Sequence, residues 1–195
     1  MNFKPIYLAS RSPRRRELLQ QMGVDFAVIS ADTDESVSPD EQPAEYVQRI
    51  AREKAQAGLS SLNGLETRPV LAADTAVIVD GEIFGKPVND DAARRMLKQL
   101  SANTHQVMTA VALAFNGDIK LALSVSEVRF SLLSESEIDW YLATGEGKDK
   151  AGSYAVQGLG ALFIEEIRGS YSGIMGLPVR ETGQLLKQME SQREQ

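Results

Sequence analysis

The spacing of apolar and polar positions changes several times along the chain, and each change marks an element. Ile6 to Ser10 is a short apolar run that predicts a buried strand. Ser12 follows as a helix N-cap and Pro13 as the first helical residue, with Leu18, Leu19 and Met22 on one face and Gly23 at the end. Phe26 to Ile29 predicts a second strand, followed by the acidic loop Asp32-Thr33-Asp34-Glu35. A longer helix is predicted from Pro43-Ala44, carrying Val47, Ile50 and Ala51 on one face and stopping at Gly58.

Val70 to Ala73 and Ala76 to Val79 are apolar runs separated by Asp74-Thr75, and Asp80-Gly81 supplies a hairpin turn into Glu82-Ile83-Phe84. Asp90 to Leu100 has the period of an amphipathic helix. Gln106 to Phe115 and Ile119 to Leu132 read as long strands joined by the turn Asn116-Gly117. In the second of these, Ile119, Leu121, Leu123 and Val125 are odd-numbered, whereas Val128, Phe130 and Leu132 are even. A regular strand cannot switch faces, so this pattern predicts a β-bulge near Ser126-Glu127. Ser134 and Glu137 form a capping box for a helix through Ile138, Tyr141 and Leu142. Ala161 to Ile167 predicts a strand and Val179 to Met189 a terminal helix. Strong hairpins among helices argue against a purely parallel sheet, so the class is α/β or α+β with a mixed sheet.

Composition narrows the chemistry. The 195 residues suit one domain spanning 1–195, with no linker or internal repeat to divide it. The chain has no cysteine and one histidine, which removes disulfides, thiolate zinc sites, iron–sulfur clusters, Cys nucleophiles and multi-His metal centres. With 21 basic and 27 acidic residues the net charge is -6, unfavourable for general binding to nucleic acid or an anionic membrane. No run approaches the roughly 18 apolar residues of a membrane span. Met1-Asn2-Phe3-Lys4-Pro5 does not read as a signal peptide, and the expected setting is the cytoplasm.

Within this acidic chain, Ser10-Arg11-Ser12-Pro13-Arg14-Arg15-Arg16 concentrates four arginines where a strand passes into a helix. Unpaired N–H groups at a helix start attract phosphate, and arginine adds bidentate recognition; a solvated basic turn is the alternative. Lys54 falls in phase with Val47, Ile50 and Ala51, so it either snorkels to the surface or enters a polar site beside the core. Asp74 is costly to bury between two apolar runs. Either the strand ends there with Asp74 in water, or a cation compensates it and the carboxylate serves as metal ligand or base.

Asp32, Asp34 and Glu35 form either a solvated turn or part of a hard-metal site, though Val37 and Pro43 stand where an EF-hand needs Gly and Glu. Gly85-Lys86-Pro87 follows a strand but lacks the spacing and the Ser or Thr of a Walker A loop; Lys86 is a phosphate lysine or a surface one. The glycine-rich run Gly152 to Gly160 contains Gln157, whose amide suits a base edge or simply an exposed turn. His105 is expected to be structural or at the surface, and Trp140 to lie in the core. The run Arg16 to Val24 is close to half a Nudix box, but Gln20 and Gln21 replace its metal-binding glutamates.

In order and spacing these segments resemble the Maf family of nucleoside triphosphate pyrophosphatases. The resemblance rests on Ser10-Arg11-Ser12-Pro13-Arg14-Arg15, Asp34-Glu35, Arg52-Glu53-Lys54-Ala55, Ala73-Asp74-Thr75, Gly85-Lys86-Pro87, Ala151-Gly152-Ser153-Tyr154, Gln157-Gly158 and Gly176-Leu177-Pro178. It implies a mixed, twisted sheet with flanking helices and two lobes around a cleft, a homodimer, and hydrolysis dependent on Mg²⁺ or Mn²⁺. It implies that Asp74, Glu35, Lys54 and Lys86 are catalytic, with the metal on Glu35 and Asp74. Ser10, Ser12, Arg14, Arg15, Thr75 and Gln157 are then expected to bind the substrate. Arg14, Thr75 and Gln157 follow the pattern of members preferring dTTP and UTP, so the expected reaction releases pyrophosphate from those nucleotides, with modified pyrimidine nucleotides as further candidates. Two rival readings are a nucleotide-binding regulator of cell division with little hydrolysis, and a nucleic-acid module using Arg11 to Arg16.

Overall fold

The computed structural model describes residues 3–62 and 66–193. Seven strands form one mixed sheet: β1 (Ile6–Leu8), β2 (Phe26–Val28), β3 (Val70–Val79), β4 (Glu82–Phe84), β5 (Thr104–Phe115), β6 (Asp118–Phe130) and β7 (Ile164–Arg168). Their order is β2-β1-β3-β5-β6-β7, with β4 paired to β3 off that path. β1 is parallel to both β2 and β3, and the remaining pairs are antiparallel. Helices α1 (Pro13–Gln21), α2 (Pro43–Ser60), α3 (Asp90–Leu100), α4 (Glu135–Thr144), α5 (Tyr171–Met175) and α6 (Val179–Arg193) flank it.

Local chemistry explains the long hairpins. Asp80 and Gly81 have φ of 51° and 83°, and Asn116 and Gly117 have 49° and 83°, the left-handed pair required by a type I′ turn. Ser134 and Glu137 complete the capping box of α4. α1 begins at Pro13 as expected, and Gly23, at φ 69°, turns the chain after its end.

Three apolar clusters hold the layers together. On one face, Val47, Ile50, Ala51 and Ala55 of α2 pack against Val70, Ala72 and Ala76 of β3 and Ala110, Ala112 and Ala114 of β5. On the other, Leu18 and Leu19 of α1 and Leu185 and Leu186 of α6 cover Ile6, Leu8, Leu71, Ala73 and Val111. The third cluster is the second lobe, where Phe84, Leu97, Phe130, Tyr141, Tyr154 and Phe163 meet the far ends of the central strands.

Several expectations need correction. α2 does not stop at Gly58 but runs to Ser60. A Cβ at Gly58 would lie 2.8 Å from Val70 Cγ1, so this glycine lets the helix approach the sheet instead of ending it. No bulge occurs at Ser126-Glu127, because β5 and β6 pair without interruption from Phe115 opposite Asp118 to Thr104 opposite Arg129. The alternation persists while the cover changes: Ile119, Leu121 and Leu123 pack with the α2 cluster, and Val128 and Phe130 with the second lobe. A register shift exists only against β7, at Arg129/Phe130.

Residues Leu159–Phe163 form a 3-10 turn, so the strand expected from Ala161 begins at Ile164. Trp140 is 44% exposed, and the core position on α4 belongs to Tyr141, which shares a helix face with Ile138. The five-residue helix α5, capped by Ser170, is too short to leave a period in the sequence.

Candidate active site

A cavity of about 440 Å³ opens between the lobes and is lined by all ten residues expected to be catalytic or to bind substrate. The β1–α1 turn contributes Ser10, Ser12, Arg14 and Arg15; the loop after β2 contributes Glu35; α2 contributes Lys54. Asp74 and Thr75 come from the middle of β3, Lys86 from the segment after β4, and Gln157 from the loop preceding the 3-10 turn. Asp149 and Lys150 join them.

At the centre, the ammonium of Lys54 lies 2.7 Å from Glu35 Oε1 and 2.8 Å from Asp74 Oδ1. This settles the two alternatives for Asp74: β3 continues through it, it is 6% exposed, and a cation compensates it. Lys54 does not snorkel outward. Burial raises the Asp74 carboxyl above the ordinary range, against the opposing pull of Lys54 and Arg15. Partial burial also pushes Glu35 upward, but Lys54, then Lys86 and Arg15, hold it below its usual value. Adjacent carboxylates in unlike environments are therefore displaced in opposite directions, a pattern typical of acid–base sites.

Arg15 is gripped on three sides. Its Nε donates to Gly176 O at 2.8 Å, Nη1 to Ser10 Oγ at 3.2 Å and Nη2 to Thr75 Oγ1 at 3.2 Å. Burial lowers its guanidinium and Asp74 opposes that shift. Arg14 and Lys86, by contrast, make no side-chain hydrogen bond or ion pair among the described residues; they act on Asp149 and Glu35 through charge alone and line the cavity with unpaired N–H donors. Ser12 occupies the N-cap of α1 without a side-chain capping bond.

The loop bearing Glu35 is pinned to α2. Tyr46 donates its hydroxyl to Glu35 O at 2.9 Å, and Arg49 binds Glu41 through Nε and Nη2 at 2.6 and 2.8 Å while donating to Ser36 O. Burial, then the charges of Asp74 and Glu35, push the Tyr46 phenol up to about 12. Gln157 is exposed, and the backbone on either side of it is anchored. Glu146 accepts from Tyr141 Oη at 2.8 Å, Leu159 N at 2.9 Å and Gly160 N at 3.0 Å, and the Tyr141 hydroxyl accepts from Ala155 N.

Glu146, Lys150, Tyr46 and Thr109 escaped the sequence reading because nothing in their local spacing distinguishes them from surface or strand residues. Lys150 packs its ammonium 2.8 Å from Glu146 O, beside the cavity wall. His105 is buried, as one of its two expectations had it, with Nε2 2.8 Å from Tyr154 Oη; burial lowers it to about 4, so it is neutral at pH 7. Among the described residues, no three His, Cys, Asp or Glu side chains cluster to hold a metal, and no helix is long and apolar enough to cross a membrane.

The chain is similar to known proteins over most of its length. The dTTP/UTP pyrophosphatase of Chromobacterium violaceum is 54% identical over 183 residues, covering 93% of this chain and 92% of that protein. The dTTP/UTP pyrophosphatase of Nitrosospira multiformis is 53% identical over 193 residues, covering 94% and 93%. Among solved structures, the Staphylococcus aureus Ham1 protein aligns at a TM-score of 0.47 and 19% identity, over 65% of this chain and 72% of that one. The profile of the family described as Maf-like protein matches residues 5–189, and the chain belongs to the Maf family.

Proposed function

We propose that the protein hydrolyses dTTP and UTP to the nucleoside monophosphate and pyrophosphate, as a single functional unit. The observation that carries this reading is the convergence of Arg14, Arg15, Lys54, Lys86 and Lys150 around the two carboxylates Glu35 and Asp74 in one cavity. A triphosphate is the polyanion that such a set of donors matches. The names of the relatives supply the nucleotides.

In this mechanism Arg14, Arg15 and Lys86 grip the phosphates and stabilise charge on the departing pyrophosphate. Ser10 and Ser12 add hydroxyl donors at the start of α1. Asp74 orients the attacking water and takes its proton at a carboxylate oxygen, a role that suits a group raised toward neutrality by burial. Water attacks the α-phosphorus. Gln157 reads the pyrimidine edge, and Thr75 holds Arg15.

The donor set also suits a divalent ion. Mg²⁺ commonly binds one or two carboxylates and completes its shell with substrate phosphates and water, and Glu35 and Asp74 are two carboxylates on a phosphate-sized cavity. When bound there, Mg²⁺ or Mn²⁺ supplies charge neutralisation at the phosphate oxygens. Lys54 bridges the same two carboxylates. The reading extends to a cytoplasmic homodimer, supported by the family resemblance and tested by sedimentation.

Phosphorus NMR of the products from dTTP, UTP and purine triphosphates, with and without divalent ions, tests the reaction. Monophosphate and pyrophosphate are expected in equal amounts. Orthophosphate alone rejects the reaction, and turnover at background favours a nucleotide-binding regulator.

A further inference from the structure

We propose that Thr109, which lies outside the cavity, is a positioning residue for Arg15 and acts through Thr75. The inference rests on the proposed reaction and deepens it. Thr109 stands directly opposite Thr75 in the antiparallel β3–β5 ladder and is 1% exposed.

The direction of each hydrogen bond follows from proton counting. Thr109 Oγ1 lies 2.8 Å from Gly173 O, and a carbonyl can only accept, so the one hydroxyl proton of Thr109 is committed there. The 2.9 Å contact between the two threonine hydroxyls therefore has Thr75 as donor. Its only proton thus used, Thr75 must accept from Arg15 Nη2 at 3.2 Å. The chain runs one way: Arg15 N–H to Thr75, Thr75 to Thr109, Thr109 to the Gly173 carbonyl.

Its far end is α5, and Arg15 Nε donates to Gly176 O at the cap of that same short helix. Together with the bond to Ser10, these contacts occupy three of the five guanidinium N–H groups and leave one on each terminal nitrogen for phosphate. Without the Thr109 hydroxyl, Thr75 has no fixed acceptor, and its lone pairs are no longer aimed at Arg15. Low-dielectric surroundings make such a chain strong when complete and costly when broken.

Two substitutions separate orientation from packing. Thr109→Val keeps the shape and removes the hydroxyl; Thr109→Ser keeps the hydroxyl and removes a methyl group. With dTTP, Thr109→Val is expected to lower kcat/KM about tenfold with part of the loss in kcat, the size of one lost charged hydrogen bond, and Thr109→Ser to stay within about twofold of the parent. A packing role gives the reverse order. The nitrogen-15 resonance of Arg15 Nε in the unliganded protein provides a second readout, expected to shift and broaden in Thr109→Val and to be restored in Thr109→Ser. An unmoved resonance in Thr109→Val, or equal kinetic damage in both variants, overturns the proposal. If the parent protein itself releases no pyrophosphate, the reaction fails instead, and the resonance alone decides the role of Thr109.

Discussion

Lys54 and Asp74, 20 residues apart in sequence, meet at 2.8 Å and join the middle of α2 to the middle of β3. The pair explains why a carboxylate can sit inside an otherwise apolar strand. A charge enclosed by Val70 to Val79 without a partner would be costly, and the helix packed on that face supplies the partner. Because Lys54 also contacts Glu35 at 2.7 Å, one ammonium ties together three separate stretches of chain.

The two ends of this pair differ in what their loss should do. Lys54→Met leaves Asp74 and Glu35 facing each other and should destabilise the fold by about 3 kcal/mol, the lower end for breaking a buried pair. Asp74→Asn leaves Lys54 bound to Glu35 and should cost far less. Both should reduce pyrophosphate release at least about 100-fold. Urea titrations alongside turnover measurements check this. Near-native turnover in Asp74→Asn would remove Asp74 from the mechanism.

Acid should release the loop that carries Glu35. Hydrogen bonds from Arg49 hold Glu41 down at about 2, below its ordinary 4.5. A carboxyl depressed by folding stabilises the native state above its unfolded value, and that contribution disappears as pH falls from 4.5 toward 2. Glu41→Gln should therefore lose about 1 kcal/mol at pH 7, the upper end for an ion pair near the surface. The gap from the parent should close as the pH approaches the depressed value. Denaturation midpoints measured across that range test it, and a gap independent of pH would count against the ion pair.

Gly58→Ala sets helix propensity against packing. Alanine within a helix gains about 1 kcal/mol over glycine. Its methyl would stand 2.8 Å from Val70 Cγ1 and 3.1 Å from both Ala9 Cβ and Ile29 Cδ1, and overpacking costs about 1–3 kcal/mol. The net expectation is a loss of about 1 kcal/mol, or about 2–4 °C in Tm for a chain of this size. A rise in Tm would mean that α2 can move away from β3 at no cost.

Glu146 should govern base selectivity more than chemistry. Its carboxylate gathers the Tyr141 hydroxyl and two backbone N–H groups just beyond Gln157. Glu146→Gln turns one acceptor into a donor that faces those donors, so the loop should loosen. Discrimination between dTTP and dGTP, read as the ratio of kcat/KM, is expected to fall about tenfold, the equivalent of one charged hydrogen bond, with kcat for dTTP largely kept. An unchanged ratio would detach the loop from base recognition.

Much of this was written in local sequence. Asn116-Gly117 and Asp80-Gly81 specify their turns because few residues accept a left-handed backbone, and Ser134 with Glu137 specifies a helix start. The arginines of the first turn and the phase of Lys54 on α2 also pointed to the cavity before any partner was visible. Other features depended on what covers each face. The change of phase in β6 suggested a bulge, yet the strand is regular and its two ends are covered from opposite sides. The compensation of Asp74, the short helix α5 and the hydrogen bonds of Thr109 and Glu146 depend on contacts between separate segments of the chain. Backbone propensity and side-chain period act over a few residues, so they determined the elements and which groups carry charge. Which charge meets which was decided only when packing brought α2, β3 and the β1–α1 turn around one cavity.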